Sequence, residues 1–234
     1  MVAGVLGLGL VASACGQSPY HYVKNNPPHL AYQVTVGDGQ VLAPVRTAAS
    51  FIRVPSNWAL LRNDEYMRQA GPADDQGPRS DAIQRARRSI TFFDGAPRPD
   101  IRDAPLAPTK YPAGATLTVA LDDEERDTVS LATIRNLLSR VDSIGAPTTN
   151  GDPPVNGEVT FKADVSQPGG FHGNRVRFQV EVADGIFSVA DQTALLDSRN
   201  RVVYVLIVGC ERSCFARNLG VINRIIDSWT VREH

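Results

Sequence analysis

The chain has little of what most catalytic machinery is written in. No G-x-S-x-G, H-E-x-x-H, Walker loop or dinucleotide glycine fingerprint occurs in its 234 residues. That removes the commonest signatures of serine hydrolases, zinc proteases, nucleotide hydrolases and nicotinamide enzymes. Histidine is scarce: His21, His29, His172 and His234 are isolated from one another. They offer no metal-ligand spacing, and no metal or cofactor is expected. There are only three lysines, Lys24, Lys110 and Lys162, against a formal net charge of -1, so no global field recruits nucleic acid. Long apolar runs are missing too. The uncharged stretch from Val2 to Ala14 is too short to cross a bilayer as a finished helix, which needs about 20 apolar residues.

What that stretch does have is the length of the apolar core of a secretory signal peptide, ending in Ala12-Ser13-Ala14-Cys15. The order resembles a bacterial lipobox, in which the cysteine is diacylated and becomes the new N-terminus. Ala12 stands where a lipobox carries Leu or Val, and no Lys or Arg precedes Cys15; a true start upstream of Met1 would supply the missing positive region. The expected organisation is a lipoprotein signal peptide at 1–14, a tether at 15–40 containing Asn25-Asn26-Pro27-Pro28, and a folded domain at 41–234.

Three cysteines are present. With Cys15 assigned to lipid, Cys210 and Cys214 remain, and an even pair in an oxidising compartment reads as a structural disulfide. A redox dithiol or half a metal site are the rival readings. The loop between them is short, so the bond's role is mainly local geometry.

A content of 42% hydrophobic and 21% charged residues is that of a globular chain rather than a disordered one. Val41 to Val54 reads as strand material, and Phe51 to Pro55 followed by Asn57 to Leu61 as strand, turn, strand. Tyr66 to Arg88 is loop, with a short helix from Asp81 to Arg88 capped by Ser80. Ser89–Phe93 and Ala115–Leu121 are strands, separated by an irregular stretch from Pro97 to Pro112. Leu131, Ile134, Leu137, Leu138 and Val141 recur at helical spacing behind the acidic run Asp122-Asp123-Glu124-Glu125. That run is expected as a solvated loop favouring the helix N-terminus, a divalent-cation site being the sharper alternative.

The last third carries the clearest patterns. Val159–Ala163 is a strand, and Asn174–Val182 alternates strictly, as in a half-buried antiparallel strand. Gln192–Leu196 leads to a turn at Asp197–Asn200. Arg201–Gly209 is apolar enough for a central strand covered on both faces. Phe215, Leu219, Ile222, Ile225, Ile226 and Trp229 trace one face of a long C-terminal amphipathic helix.

Strands first and a long helix last resemble the Mog1/PsbP-like domain of mycobacterial lipoproteins of the LpqN/LpqT kind. The carrying residues are Phe51-Ile52-Arg53-Val54-Pro55-x-Asn57-Trp58, Asp191-Gln192-Thr193, the Arg201–Gly209 strand, and Ile226, Ser228 and Trp229 in the closing helix. The resemblance covers about Leu42 to Val231. It implies an α+β fold, an α/β/α sandwich with a central antiparallel sheet covered by helices. It also implies a non-catalytic module that binds or helps assemble other proteins, with no shared active site to carry across. Positive charge carried almost wholly by arginine fits a GC-rich, actinobacterial source.

The resulting expectation is a lipid-anchored binding module on the outer face of the cytoplasmic membrane. It contacts the membrane through its N-terminal lipid and another envelope protein as partner, with no catalytic residues and no nucleic acid. Two alternatives stay open. One is a carrier of a small or lipidic ligand in a pocket between sheet and helices. The other is a cell-envelope hydrolase drawing on Asp122, Asp123, Glu124, Glu125, Asp164, Asp184 or Asp191, or on His172 in its glycine-rich surroundings.

Overall fold

A computed structural model describes residues 18–26, 31–36, 39–44, 48–62, 87–100, 105–146 and 155–233. The first strand, β1 (Tyr20–Asn25), falls inside the segment expected as a tether. β2 (Ala31–Val36) and β3 (Gly39–Pro44) form a hairpin that also begins before residue 41. The strand content therefore starts at Tyr20, because alternate residues Val23 and Asn25 are buried against the rest of the fold. Cys15 and the expected signal peptide lie outside the described residues, as does most of the expected Ser80-capped helix.

The remaining strands are β4 (Ala49–Pro55), β5 (Ala59–Arg62), β6 (Arg88–Asp94), β7 (Ala113–Ala120), β8 (Gly157–Gln167), β9 (Phe171–Ala183), β10 (Ile186–Leu196), β11 (Val202–Glu211) and β12 (Thr230–Arg232). Seven of them make one wholly antiparallel sheet in the order β5-β6-β7-β11-β10-β9-β8. β11 sits at its centre, and its residues Val202 to Cys210 are buried on both faces. A strand buried on both sides tolerates only an unbroken apolar run.

Each face of the large sheet supports its own core. On one face Val202, Tyr204, Leu206 and Val208 meet helix α3 (Arg212–Ser228), through Phe215, Ile222, Ile225 and Ile226. A second, three-stranded sheet, β1-β4-β12, lies on the same side and adds Val23, Ile52, Val54 and Val231. On the other face Val203, Val205 and Ile207 meet Phe178, Val180, Ile134 and Val141. Leu219, read as part of the buried helix stripe, is 38% exposed.

The single helix expected over Leu131–Val141 is two pieces, α2 (Leu131–Arg135) and a 3-10 turn at Val141–Ser143, and a separate helix, α1 (Asp123–Thr128), precedes them. The acidic run is not the expected loop ahead of a helix. Asp122 is the N-cap of α1 and shares a capping box with Glu125, so three carboxylates occupy the first turn, where the macrodipole favours them. Ser130 then caps α2 through the Thr133 N–H, which starts a new helix rather than continuing the old one.

The two sheets are joined by polar as well as apolar contacts. Asn25, 3% exposed, donates Nδ2 to the Ser89 carbonyl at 3.1 Å and to Thr116 Oγ1 at 3.1 Å, while Ser89 Oγ donates to Asn25 Oδ1 at 2.6 Å. Buried polar groups without partners are costly, so this network fixes how β1 seats on β6 and β7. Tyr204, wholly buried in β11, donates its hydroxyl to the Ala48 carbonyl at 2.9 Å and ties the approach to β4 to the central strand. Gly114 in β7 is a close-approach position: a Cβ there would stand 2.3 Å from the Phe93 ring and 2.6 Å from the Ile207 carbonyl.

Cys210 and Cys214 are bonded, with their Cα atoms 5.9 Å apart, and both are fully buried. The bond ties the end of β11 to the first turn of α3.

Candidate functional site

Alternation along the three-stranded sheet turns Val23, Ile52, Val54 and Val231 inward and leaves the opposite set facing out. The outward set is Tyr20, Tyr22 and Lys24 on β1, Phe51 and Arg53 on β4, and Thr230 and Arg232 on β12. With Arg224, Asp227 and Ser228 from the end of α3, these residues line an open groove of about 590 Å³. Register sets the neighbours: Tyr22 lies opposite Arg53, and Phe51 lies between Lys24 and Thr230. Ser228 Oγ accepts the Arg53 N–H at 2.9 Å and donates to the Ile225 carbonyl at 2.7 Å, fixing the helix end beside β4.

The groove's charge is held on aromatic faces. Arg232 stands 4.7 Å from the Phe51 ring centroid, Lys24 stands 6.0 Å from the same ring, and Arg53 is 5.6 Å from that of Tyr22. Such pairs hold a cation in place without neutralising it. Among the described residues, Lys24, Arg53, Arg224 and Arg232 form no ion pair; Asp227 is the one carboxylate in the lining. Tyr22 is 71% exposed, the most exposed large hydrophobic side chain among those described. Thr230 Oγ1 is buried at the groove without a hydrogen-bond partner.

The carboxylates singled out from the sequence do not converge. Asp122 and Glu125 pair with Arg87, and Asp123 pairs with Arg126. The Glu125 N–H and then Arg87 hold the Asp122 carboxyl below the usual range. Glu124, Asp164 and Asp184 are exposed on α1, β8 and the β9–β10 turn. Asp191 alone is deeply buried. It accepts Arg175 Nε at 2.8 Å and Nη2 at 2.9 Å, and Arg177 Nε at 2.9 Å, from the neighbouring strand. These hydrogen bonds hold the Arg175 guanidinium even more firmly protonated than usual. Phe161 and Phe215 lie against Arg175 and Arg177, at 5.8 and 5.4 Å. A carboxylate that accepts three charge-assisted hydrogen bonds from two arginines acts as a brace in the sheet, and Arg177 extends it to Phe215 of α3.

His172 is not in the turn between strands. It lies in β9, exposed, with Nδ1 3.2 Å from the Gly170 carbonyl, while Gly169 and Gly170 form the turn with positive φ. His21 is an exposed residue of β1. Among the described residues no group of three His, Cys, Asp or Glu side chains could hold a metal ion, and no helix is long and apolar enough to cross a membrane.

A second concavity, of about 420 Å³, lies on the other face of the large sheet. Leu106, Leu138, Ile144 and Val155 form its walls, and Phe178 and Val180 its floor. It is the place in this fold for the pocket between sheet and helices that a carrier would need.

The groove was not legible in the sequence, because its members come from positions 20–24, 51–53 and 224–232. A usable signal was the outward alternation Tyr20-x-Tyr22-x-Lys24, which has strand period.

No family model matches this chain, and no curated protein matches it by sequence. Among solved structures it is similar to LpqN, involved in cell envelope biogenesis of Mycobacterium tuberculosis, at 15% identity over 90% of this chain and 91% of that one, with a TM-score of 0.40. It is also similar to cyanobacterial PsbP (CyanoP) of Synechocystis sp. PCC 6803, at 9% identity over 85% and 98% of the two chains, with a TM-score of 0.41.

Proposed function

We propose that this protein is a lipid-anchored, non-catalytic binding module of the bacterial cell envelope, held through Cys15 at the outer face of the cytoplasmic membrane. The observation that carries the reading is the groove on the β1-β4-β12 sheet. It is open, its four cations form no ion pair among the described residues, three of them (Lys24, Arg53 and Arg232) stand on aromatic faces, and it begins at Tyr20, five residues after Cys15. Anchor and binding face therefore adjoin. The disposition of the carboxylates singled out from the sequence supports binding over hydrolysis, since the buried one among them, Asp191, is committed to two arginines and the others are dispersed.

Fractionation of cells producing the native chain and Cys15→Ser tests the proposal. The native protein should sediment with membranes and the variant should appear in the soluble extracytoplasmic fraction. Equal, tight membrane association of both would sink the lipid anchor. The carrier alternative rests on the 420 Å³ concavity; an apolar molecule retained by the purified protein in native mass spectrometry would favour it.

A further inference from the structure

We propose that the β1-β4-β12 groove docks the domain onto the anionic phospholipid headgroups beside its own anchor. The inference rests on the lipid-anchor reading and names the ligand of that same site.

Three observations converge on it. The first is charge: Lys24, Arg53, Arg224 and Arg232 face Asp227, which leaves three positive charges in excess on one side of a chain whose formal net charge is -1. Headgroup phosphates are the complementary surface. The second is chemistry at the rim. Tyr20 and the 71% exposed Tyr22 present rings with a polar tip, side chains suited to the boundary between headgroups and acyl chains. The third is reach. Four residues, and so five Cα steps, separate Cys15 from Tyr20. Fully extended, those five steps span at most about 18 Å, so an acylated Cys15 keeps the start of β1 within that distance of the bilayer. The exposed helix α1, with Asp123 to Glu125 in its first turn, is flanked by Leu121 and Val129, which belong to the core on the opposite face of the large sheet. An anionic surface therefore attracts the groove side, whereas the α1 carboxylates Asp123 and Glu125 are already paired with Arg126 and Arg87.

The test is vesicle cosedimentation at physiological ionic strength. It uses neutral phosphatidylcholine vesicles and vesicles containing about one-third phosphatidylglycerol. Three full-length chains are compared, all carrying Cys15→Ser, so acyl chains contribute nothing and the shared apolar N-terminus cancels. Each cation near an anionic surface raises partition about fivefold, so three in excess predict a preference for anionic vesicles on the order of a hundredfold. Lys24→Gln with Arg224→Gln should cut that preference about 25-fold, and Arg53→Glu with Arg232→Glu should abolish it. The first pair leaves the two closest cation–ring contacts intact, so it separates lost charge from lost folding; thermal melts of all three chains should stay close. Equal partition of the first chain to both vesicle types overturns the proposal, and so does a preference that survives both pairs of substitutions. Loss of vesicle binding to millimolar inorganic phosphate assigns the groove to a soluble anion and also overturns it. The anchor is read separately, by labelled palmitate incorporated into the native chain and absent from Cys15→Ser. Either result can therefore fail without the other.

Discussion

Replacing Asp191 with Asn tests how the large sheet is braced beneath α3. Asp191 exposes none of its side chain, whereas its partners Arg175 and Arg177 remain 23% and 27% exposed. Removing one member of a fully buried ion pair costs about 3–5 kcal/mol, because a charge is left without its partner. Here the orphaned charges are two guanidiniums that reach water, so rehydration recovers part of the loss and the expected cost is about 2–3 kcal/mol. Asn keeps the volume and one acceptor, so the change reads charge rather than packing. For a chain of this size about 2–4 °C of Tm follows each kcal/mol, which places the variant roughly 4–12 °C below the native protein. Arg175→Met and Arg177→Met should each cost less, since Asp191 keeps one arginine. Either arginine change combined with Asp191→Asn should be strongly non-additive, because the residues share one network. Urea unfolding followed by circular dichroism measures all of these. An Asp191→Asn variant within about 0.5 kcal/mol of native, the range of an ordinary surface change, would refute the brace.

Three further outcomes are expected. Tyr204→Phe removes the hydroxyl from the Ala48 carbonyl and should cost about 1 kcal/mol at neutral pH. Burial, then the Asp197 charge, raise the Tyr204 phenol above its ordinary value of 10.0, so the folded state resists losing that proton. Native stability should therefore fall as pH climbs past that ordinary value, and the Phe variant should fall less in alkaline melts. Asp142 accepts Arg135 Nε at 2.6 Å and Asn136 Nδ2 at 2.8 Å, which, led by Arg135, hold its carboxyl below the ordinary 3.8. Its contribution is present above that value and lost as pH falls through the lower folded one. Discounted for exposure, Asp142→Asn should cost about 0.5 kcal/mol at pH 7, and acid denaturation should show the gap closing. Replacing Cys210 and Cys214 with Ala opens a five-residue loop. The chain-entropy model then gives a loss of at most about 2 kcal/mol, and thiol labelling of the unreduced, denatured native domain should find no free thiol at either position.

What could be read from the sequence was whatever one periodicity decides. The run from Val202 to Gly209 has one structural solution, a strand covered on both faces, and it occupies the centre of the sheet. The strict alternation of Val176, Phe178 and Val180 became the buried face of β9. The failures come from partners distant in sequence. β1 reads as a polar tether because its inward residue Asn25 is itself polar; Ser89, Thr116 and Thr118, more than sixty positions away, make its burial tolerable. The helix over Leu131–Val141 was lost to local capping: Ser130 begins α2 afresh, and Asn136 ends it, its side chain holding Asp142. Net charge misled in the same way. A value of -1 excludes a global field and says nothing of three strands and a helix end that gather four cations on one face.

The groove face, beside the proposed anchor at Cys15, is proposed as the binding surface. A photo-reactive residue at position 22, in cells that produce the protein, tests it most directly, with position 124 on α1 as the matched control on the far side. The account predicts phospholipid adducts from position 22 and few or none from position 124. Equal yields from the two positions, or none from position 22, would contradict it.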